Sequence, residues 1–310
     1  MTISMPPTRE ECQRLQSTTI LLSFSGTYRF SHVDQRPLPA CVMVPPRSGH
    51  PLLLSIPHSG RDHPSWLVDN ASGGLAALQS LEDPLVDRLA WRALAAGIGA
   101  VIARCPRAAI DCNRAPDEVD PAVVAGAPAF GSDRAAAGLG IVPGRTARHG
   151  HLWRAPIDQA ELDRRVGMVH VPFHRAIETA LDRLAIVHGE AILLDCHSMP
   201  SRRGQAELVI GDRFGTSAAP HITAAAARIA RALGWVVALN VPYAGGHVID
   251  RHGAPADGVH ALQLEFDRAC YLAADGRTPG SGFDRAARLL EQLALGLAAE
   301  IQPALEIAAE

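Results

Sequence analysis

Two short apolar runs that each stop at a histidine constrain this chain more than any other feature. The run LLLSIPHSG covers residues 52–60 and places His58 directly after a predicted strand. The run AILLDCHSMP covers residues 191–200 and places His197 at the end of another. Short, wholly apolar runs are typical of strands buried on both faces of a parallel sheet, and ligands gather beyond the carboxyl ends of such strands. The two imidazoles are therefore predicted to meet at one edge of a sheet.

The rest of the chain alternates apolar runs with helical patterns. This alternation predicts an α/β fold, a three-layer sandwich with a mixed, mostly parallel central sheet. Predicted strands cover residues 52–56, 99–103, 107–112, 191–196, 207–211, 235–240 and 260–266. Predicted helices cover residues 83–97, 158–187 with a break at Pro172, 217–233 and about 282–308.

The domain organisation is predicted from where this alternation is absent. We expect residues 1–40 to form an irregular N-terminal arm, in which only TILLSFS resembles a strand, and residues 41–310 to form a single α/β hydrolytic domain. Residues 113–155 and 242–258 are rich in glycine, proline and alanine and are predicted to be long loops. Loops of that length in a compact domain usually carry function.

Charge and cysteine content narrow the function classes. The formal net charge is −3 and the pI is near 6.5, so the chain lacks the basic field typical of partners of nucleic acid or anionic membranes. A small-molecule substrate is the better expectation. The six cysteines show no CxxC spacing, which argues against a thiolate zinc cluster or a disulfide framework. With no signal peptide and no long apolar stretch, we expect a soluble, cytoplasmic protein; its oligomeric state is not predicted.

The residue types at the strand ends point to metal-assisted hydrolysis. Neutral imidazoles on rigid strand ends are good zinc ligands, and two histidines with one carboxylate leave a fourth position open for chemistry. In HALQLEFDR, Glu265 lies on the strand face opposite its apolar neighbours, where a charge on a mostly apolar strand predicts a general base. The alternatives are hydrogen-bonded structural histidines and a solvated glutamate on an edge strand.

The segment PRAAIDCNR supplies cations near the same edge. A guanidinium beside an amide, as at Asn113 and Arg114, suits bidentate capture of a substrate carboxylate. Arg107 is predicted to stabilise an oxyanion. Alternatively, either arginine pairs with Asp111 or another acid.

A serine or cysteine hydrolase is the weaker prediction. The sequence contains no GxSxG elbow. Cys196 directly precedes His197 on one strand, so the two side chains point to opposite faces and cannot form a nucleophile and base pair.

Several longer motifs, in this order along roughly residues 45–275, together resemble one family. They are PHSGR, LEDPLVDRL, PRAAIDCNR, LLDCHSMP, VIGDRFG, NVPYAGGHVIDRHG and HALQLEFDR. This set resembles the N-formylglutamate amidohydrolases, or N-formylglutamate deformylases. More distantly, the chain is similar to the zinc carboxypeptidase and aspartoacylase clan, which it matches at His58, Asn113, Arg114, His197 and Glu265. It departs from the clan at Arg61, where the clan has a glutamate ligand.

The resemblance implies a zinc-carboxypeptidase-like sandwich that cleaves N-formyl-L-glutamate to formate and L-glutamate, a reaction of histidine catabolism. Zinc, or another divalent metal, would be held by His58, His197 and Asp83, with Glu82 and Asp87 as the alternative third ligands. Asp83 could instead cap a helix that begins at Pro84. Glu265 would take a proton from the attacking water and pass it to the departing amine.

The second substrate carboxylate requires another cation from the two long loops. The candidates are Arg251, Arg213, Arg145 and Arg154, and the sequence does not choose among them. Tyr243 and the AGG that follows it are predicted to form a mobile cover, unless the glycines only make a tight turn. His174, His247 and His252 remain as hydrogen-bonding or proton-shuttling candidates. Two rival functions stay open, a deacylase of another N-acyl acidic amino acid and a catalytically silent ligand-binding relative.

Overall fold

The computed structural model describes residues 37–47, 49–128 and 132–301. The strands are β1 Val42–Val44, β2 Leu52–Ile56, β3 Gly99–Ile102, β4 Arg145–Thr146, β5 Gly150–His151, β6 Ala191–Met199, β7 Leu208–Gly211, β8 Val237–Leu239 and β9 Val259–Asp267. The α-helices are α1 Ser65–Asn70, α2 Gly74–Gln79, α3 Val86–Leu89, α4 Trp91–Ala95, α5 Asp133–Ala136, α6 Gln159–Arg165, α7 Val171–His188, α8 Pro220–Ala232, α9 His247–His252 and α10 Phe283–Ile301. A π-helical turn, Val166–His170, joins α6 to α7, and 3₁₀ turns cover Pro255–Asp257 and Arg268–Cys270.

Seven strands form one sheet in the order β1-β3-β2-β6-β9-β7-β8, and β4 and β5 form a separate ribbon. The pairings β1 with β3 and β7 with β9 are antiparallel, and the other four pairings of the large sheet are parallel. The prediction of a mixed, mostly parallel sheet is therefore confirmed. The adjacent parallel strands β2, β6 and β9 lie at the centre, so their carboxyl ends share one edge.

Helices cover both faces of this sheet because alternate side chains of the strands face opposite layers. On β2, Leu52, Leu54 and Ile56 pack into the core beneath α3, α4, α8 and α10. Leu53, between them, packs into the second core beneath α1, α2, α6, α7 and α9. The predicted three-layer sandwich is confirmed.

Two predicted elements differ from the structure. Residues 107–112 are a turn rather than a strand, because the position beside β3 is occupied by β1, which pairs with it antiparallel. The helix predicted over residues 83–97 is two short helices, α3 and α4. Leu85 has a left-handed backbone conformation, with φ 62°, so the helix begins only at Val86. The segment before Leu85 is therefore not helical and lies at the edge of the sheet.

The remaining predicted elements are present with small changes at their ends, and the predicted end of the last helix, residues 302–308, lies outside the described residues. The break predicted at Pro172 is a π-helical turn that ends at His170, and α7 then runs through the proline. The predicted loops contain short elements, namely α5 and the β4-β5 ribbon in residues 113–155, and α9 in residues 242–258. The TILLSFS segment and most of the predicted arm lie outside the described residues.

Two observations concern the classes excluded by composition. Within the described ranges, no helix is both long and apolar enough to cross a membrane. The cysteines in those ranges, at positions 41, 105, 112, 196 and 270, are all free thiols.

Candidate metal centre

His58, His197 and Asp83 meet in a buried triangle at the carboxyl edge of the central strands. His58 follows β2, His197 lies on β6, and Asp83 lies in the segment before α3; each is about 2% exposed. The two Nδ1 atoms are 3.0 Å apart, and each lies 3.2 Å from Asp83 Oδ2. The two imidazoles meet as the matched strand ends predict, and Asp83 places a third potential ligand atom beside them.

The other ring nitrogen of each histidine is held by a buried carboxylate. The Nε2 of His58 lies 2.7 Å from Asp111 Oδ1, and the Nε2 of His197 lies 2.7 Å from Asp195 Oδ2. An N–H at each Nε2 satisfies these contacts and leaves a lone pair on each Nδ1. Two lone pairs 3.0 Å apart, beside a carboxylate oxygen, require a positive charge between them. The donor set therefore fits a divalent metal ion.

In the absence of an ion, a proton would carry that charge. Burial lowers the pKa of His197, but the charge and hydrogen bond of Asp195, with the hydrogen bond to Asp83, outweigh it and raise this pKa well above 6.5. Burial likewise raises the pKa of Asp83, yet its hydrogen bonds with the two histidines and the charge of Arg268 hold it well below 3.8. Asp83 is therefore a carboxylate at neutral pH, the form that binds metal.

Asp83 is oriented by groups on its far oxygen. Arg268 Nη2 donates to Asp83 Oδ1 at 3.0 Å and Ser198 Oγ donates to it at 3.3 Å, which turns Oδ2 toward the imidazoles. The side chain does not cap α3, which begins at Val86 without a side-chain cap. The alternative ligands face elsewhere: Glu82 accepts from Arg277, and Asp87 pairs with Arg61.

Glu265 stands next to this triangle. It pairs in register with His197 across β6 and β9, and with Gln263 it faces the cavity while Leu262, Leu264 and Phe266 pack into the core. Burial raises the pKa of Glu265 to about 7, with the nearby Asp83 charge adding to the effect and the His197 charge opposing it. A carboxyl group with this pKa can both take and return a proton near neutral pH.

A cavity of about 390 Å³ opens over the triangle and Glu265. Four guanidinium groups line it, those of Arg107, Arg114, Arg134 and Arg268. Asn113 and Tyr243 also line it, as the sequence predicts. By contrast, Arg251, Arg213, Arg145 and Arg154 lie outside the cavity wall.

The guanidinium groups differ in their partners. Arg107 Nε donates to Asp111 Oδ2 at 2.8 Å, so its charge is matched by a carboxylate, as is that of Arg268 by Asp83. Arg114 donates to two backbone carbonyl oxygens, those of Leu139 and Asn113. Arg134 donates to a backbone carbonyl. Across the described part of the chain, neither Arg114 nor Arg134 forms an ion pair with a carboxylate.

Several residues of this site escape the sequence reasoning. Asp195 precedes His197 by two positions and therefore shares its strand face. The same Asp-Cys pair occurs in IDCNR and in LLDCHS, and this repeat could have indicated that Asp111 also lies at the site. Gln263, whose Oε1 accepts from the Gly246 N–H and whose Nε2 donates to Glu265, follows from the same alternation. No sequence pattern indicates that Arg134 and Arg268 belong to the site. Tertiary packing alone brings α5 and the turn after β9, which hold these residues, to the cavity.

Comparison with known proteins identifies the family of this chain. Residues 50–272 match the N-formylglutamate amidohydrolase family. N-formylglutamate deformylases of Pseudomonas aeruginosa and Pseudomonas putida are 29% and 30% identical to this chain over 235 residues, which is 72% of the chain and 82% of each relative. The crystal structure of N-formylglutamate amidohydrolase from Ralstonia eutropha JMP134 superposes with a TM-score of 0.78 at 29% identity, covering 86% of this chain and 99% of that one. The chain belongs to the N-formylglutamate amidohydrolase family.

Proposed function

We propose that this protein is a zinc-dependent amidohydrolase that cleaves N-formyl-L-glutamate to formate and L-glutamate. The observation that carries the proposal is the buried triangle of His58, His197 and Asp83 beside Glu265, at the floor of a cavity rich in arginine. The names of the related deformylases support the choice of substrate.

Zinc suits the triangle in chemistry and in size. Nitrogen and carboxylate ligands at about 2.0–2.1 Å from a tetrahedral zinc lie roughly 3.3 Å from one another, close to the 3.0–3.2 Å spacing of the three atoms. Three protein ligands leave one position open, which is the pattern of catalytic zinc. When bound, zinc would polarise the formyl oxygen and make water more acidic. The carboxylates behind each imidazole would fix the ring orientations and strengthen both ligands.

Glu265 is the proposed general base and acid. Its carboxylate takes a proton from the water that attacks the formyl carbon, and then delivers that proton to the glutamate nitrogen as the C–N bond breaks. A pKa of about 7 suits both steps at neutral pH. Gln263, which donates to Glu265 Oε1 at 2.9 Å, holds the carboxyl group in place.

The arginines divide between the reacting centre and the substrate carboxylates. Arg107 is proposed to stabilise the developing oxyanion. Arg114 and Arg134 are proposed to bind the two carboxylates of the substrate, because their charges are not already matched by a protein carboxylate. Arg251, the expected clamp from the sequence, has an exposed side chain outside the cavity and is not needed for this assignment.

A deacylase of another N-acyl acidic amino acid is the second candidate. The cavity volume of about 390 Å³ lies within the usual range of ligand sites, so space alone does not reject an acyl group larger than formyl. Both candidates use the same metal centre and the same arginines.

The test compares turnover of N-formyl-L-glutamate, N-acetyl-L-glutamate and N-acetyl-L-aspartate by the zinc-loaded protein. We expect kcat/KM for the formyl substrate to exceed the other two values by at least tenfold. A preference for an acetyl substrate would replace the proposal with the second candidate. The absence of turnover of all three by zinc-loaded, folded protein would overturn both and favour a silent relative.

A further inference from the structure

A second cluster of imidazoles contacts the backbone of residues 112–114. His170 and His174 are four residues apart at the start of α7, a spacing that puts both rings on one helix face. His247, the first residue of α9, faces them. The ring centroid of His174 lies 4.3 Å from that of His170 and 5.1 Å from that of His247. None of the three lines the cavity.

Hydrogen bonds fix how two of these rings are turned. The Nε2 of His170 donates to the carbonyl oxygen of Arg114, and the Nε2 of His174 donates to that of Cys112, each at 2.9 Å. Backbone carbonyls accept only, so both rings carry their proton on Nε2 and keep a lone pair on Nδ1. Ligating histidines are usually held in this way, with one nitrogen bound to a carbonyl and the other carrying the lone pair that binds a metal. In His174 that lone pair accepts a hydrogen bond from His252 Nε2.

The third ring supplies an atom without a partner. The Nε2 of His247 is buried and makes no hydrogen bond to any residue in the described ranges. A buried polar atom left without a partner is costly. Together with the Nδ1 atoms of the other two rings, it completes a set of three nitrogen donors from two helices.

The cluster also keeps its imidazoles neutral, which is the form that binds metals. Burial lowers the pKa of His170 to about 4, with the nearby His247 and Arg251 charges acting in the same direction. Burial and Arg251 likewise lower the pKa of His247. The π-helical turn that carries His170 is a feature often found at functional sites.

We propose that His170, His174 and His247 form a second binding site for a divalent ion of the zinc, nickel or copper class, separate from the centre at His58. Three imidazoles suit these ions and not magnesium or calcium, which prefer oxygen. His252 Nε2 lies 2.9 Å from His174 Nδ1, so ion binding replaces that hydrogen bond. One ligand atom of each of the three histidines lies within 4.8 Å of the other two. We expect weaker binding than at the first centre, because the ion must displace the hydrogen bond between His252 and His174.

The consequence of occupancy is local. His170 and His174 donate hydrogen bonds to the backbone carbonyls of Arg114 and Cys112, on either side of Asn113. The backbone N–H of His247 donates to the carbonyl of Asn113 itself at 3.4 Å. An ion that ties α7 to α9 would therefore fix the backbone of residues 112–114.

The test counts ions bound to the full-length chain. Protein stripped with a chelator is dialysed against Zn²⁺, and bound zinc is measured for the wild type, His247→Ala, His58→Ala and His151→Ala, the last a control because its side chain is exposed on the β4-β5 ribbon. We expect the zinc equivalent of the second site to be lost in His247→Ala. The same equivalent should be retained in His58→Ala and in His151→Ala. Nickel alone, titrated into His58→Ala, should raise its melting temperature, and His58→Ala/His247→Ala should show no such rise.

The proposal is overturned if His247→Ala binds as much zinc as His151→Ala. Anomalous scattering at the zinc edge from wild-type crystals gives an answer that does not depend on how the variants fold. A peak within bonding distance of His170, His174 and His247 supports the second site. No peak there, with or without one at His58, contradicts it. Zinc found at the second site and not at the first centre would support this inference and contradict the proposed function.

Discussion

At the scale of single residues, two carboxyl groups in one cavity have pKa values displaced in opposite directions. Burial acts first on both and raises both. The contacts of Asp83 with the His197 and His58 rings and the charge of Arg268 together overcome burial. At Glu265 the charges of His197 and Arg107 do not overcome burial, and the charge of Asp83 raises its pKa further. These opposite shifts fit the proposed roles, in which Asp83 holds a cation and Glu265 moves a proton.

Replacing Glu265 with glutamine tests its proton-transfer role. The amide keeps the size and the hydrogen bonding of the side chain but cannot take a proton. We expect kcat to fall by about 10²- to 10⁴-fold while zinc content stays unchanged. Glu190→Gln is the matched control, since its side chain is 44% exposed beside His260. A Glu265→Gln variant with near wild-type kcat would remove Glu265 from the mechanism.

The raised pKa of Glu265 also predicts a pH dependence of stability in the metal-free protein. The folded chain keeps a proton to about pH 7 that the unfolded chain loses near pH 4.5. The free energy of unfolding contributed by this group therefore falls as the pH rises from about 4.5 to about 7, and it stays low above that range. Glu265→Gln removes this effect.

We therefore expect urea unfolding at pH 8 to show Glu265→Gln more stable, relative to the wild type, than at pH 5, by on the order of 2–3 kcal/mol. Both proteins are measured after chelation, so that no bound metal ion contributes to the difference. A difference between variant and wild type that stays constant from pH 5 to pH 8 would show that Glu265 has an ordinary pKa.

Cys196 tests the thiol alternative. Its side chain packs in the core on the face opposite His197, and burial, with the charge of Asp195, raises the pKa of its thiol well above 9.0. A thiol in that state is not a nucleophile. We expect Cys196→Ala to lose some stability through the cavity it leaves, and to keep at least about a third of wild-type kcat/KM. An activity loss as large as that of Glu265→Gln would revive a cysteine mechanism.

At the scale of elements, the sequence predicts the central strands well and their surroundings less well. The apolar runs that become β2, β6 and β9 are buried on both sides, so pattern alone identifies them. Residues 107–112 have the same apolar character but form a turn, because strand order decides which run joins the sheet. The helix predicted over residues 83–97 breaks at Leu85, since the segment before it places Asp83 at the sheet edge.

The loop between β8 and α9 packs closely against the Asn113 side chain at Gly246. A Cβ on Gly246 would lie 2.3 Å from Asn113 Oδ1. That amide is held at Oδ1 by the Val248 N–H at 2.8 Å and donates through Nδ2 to Gln263 Oε1 at 3.3 Å. A side chain at position 246 would break both contacts.

We expect Gly246→Ala to lower kcat/KM for N-formyl-L-glutamate by about 10- to 100-fold, mainly through KM, which is the cost of about two hydrogen bonds. Bound zinc should be unchanged. Gly167→Ala is the matched control, because nothing lies within 4 Å of the Cβ it would add. Equal kinetics of the two variants would mean that Asn113 does not position substrate.

At the scale of the whole molecule, the site depends on convergence of segments far apart in the sequence. Parallel strands carry His58, His197 and Glu265 to one edge, and this part is predictable from strand ends alone. The position of the proposed third ligand, Asp83, is not predictable in this way. A helix cap and a ligand share the sequence Asp-Pro, and only the path of residues 81–85 distinguishes them. Two arginines that line the cavity, Arg134 and Arg268, lie on α5 and on the turn after β9, and the positions of these elements follow from tertiary packing.

The most direct test of the account is the zinc dependence of N-formyl-L-glutamate hydrolysis in the wild type and in Asp83→Asn. Chelated wild-type protein should be inactive and should recover on addition of about one equivalent of zinc, bound at the tighter site. Asp83→Asn, with a neutral third ligand, should need at least about tenfold more zinc for half-maximal recovery. Full turnover by metal-free wild-type protein, or identical zinc dependence in Asp83→Asn, would contradict the account.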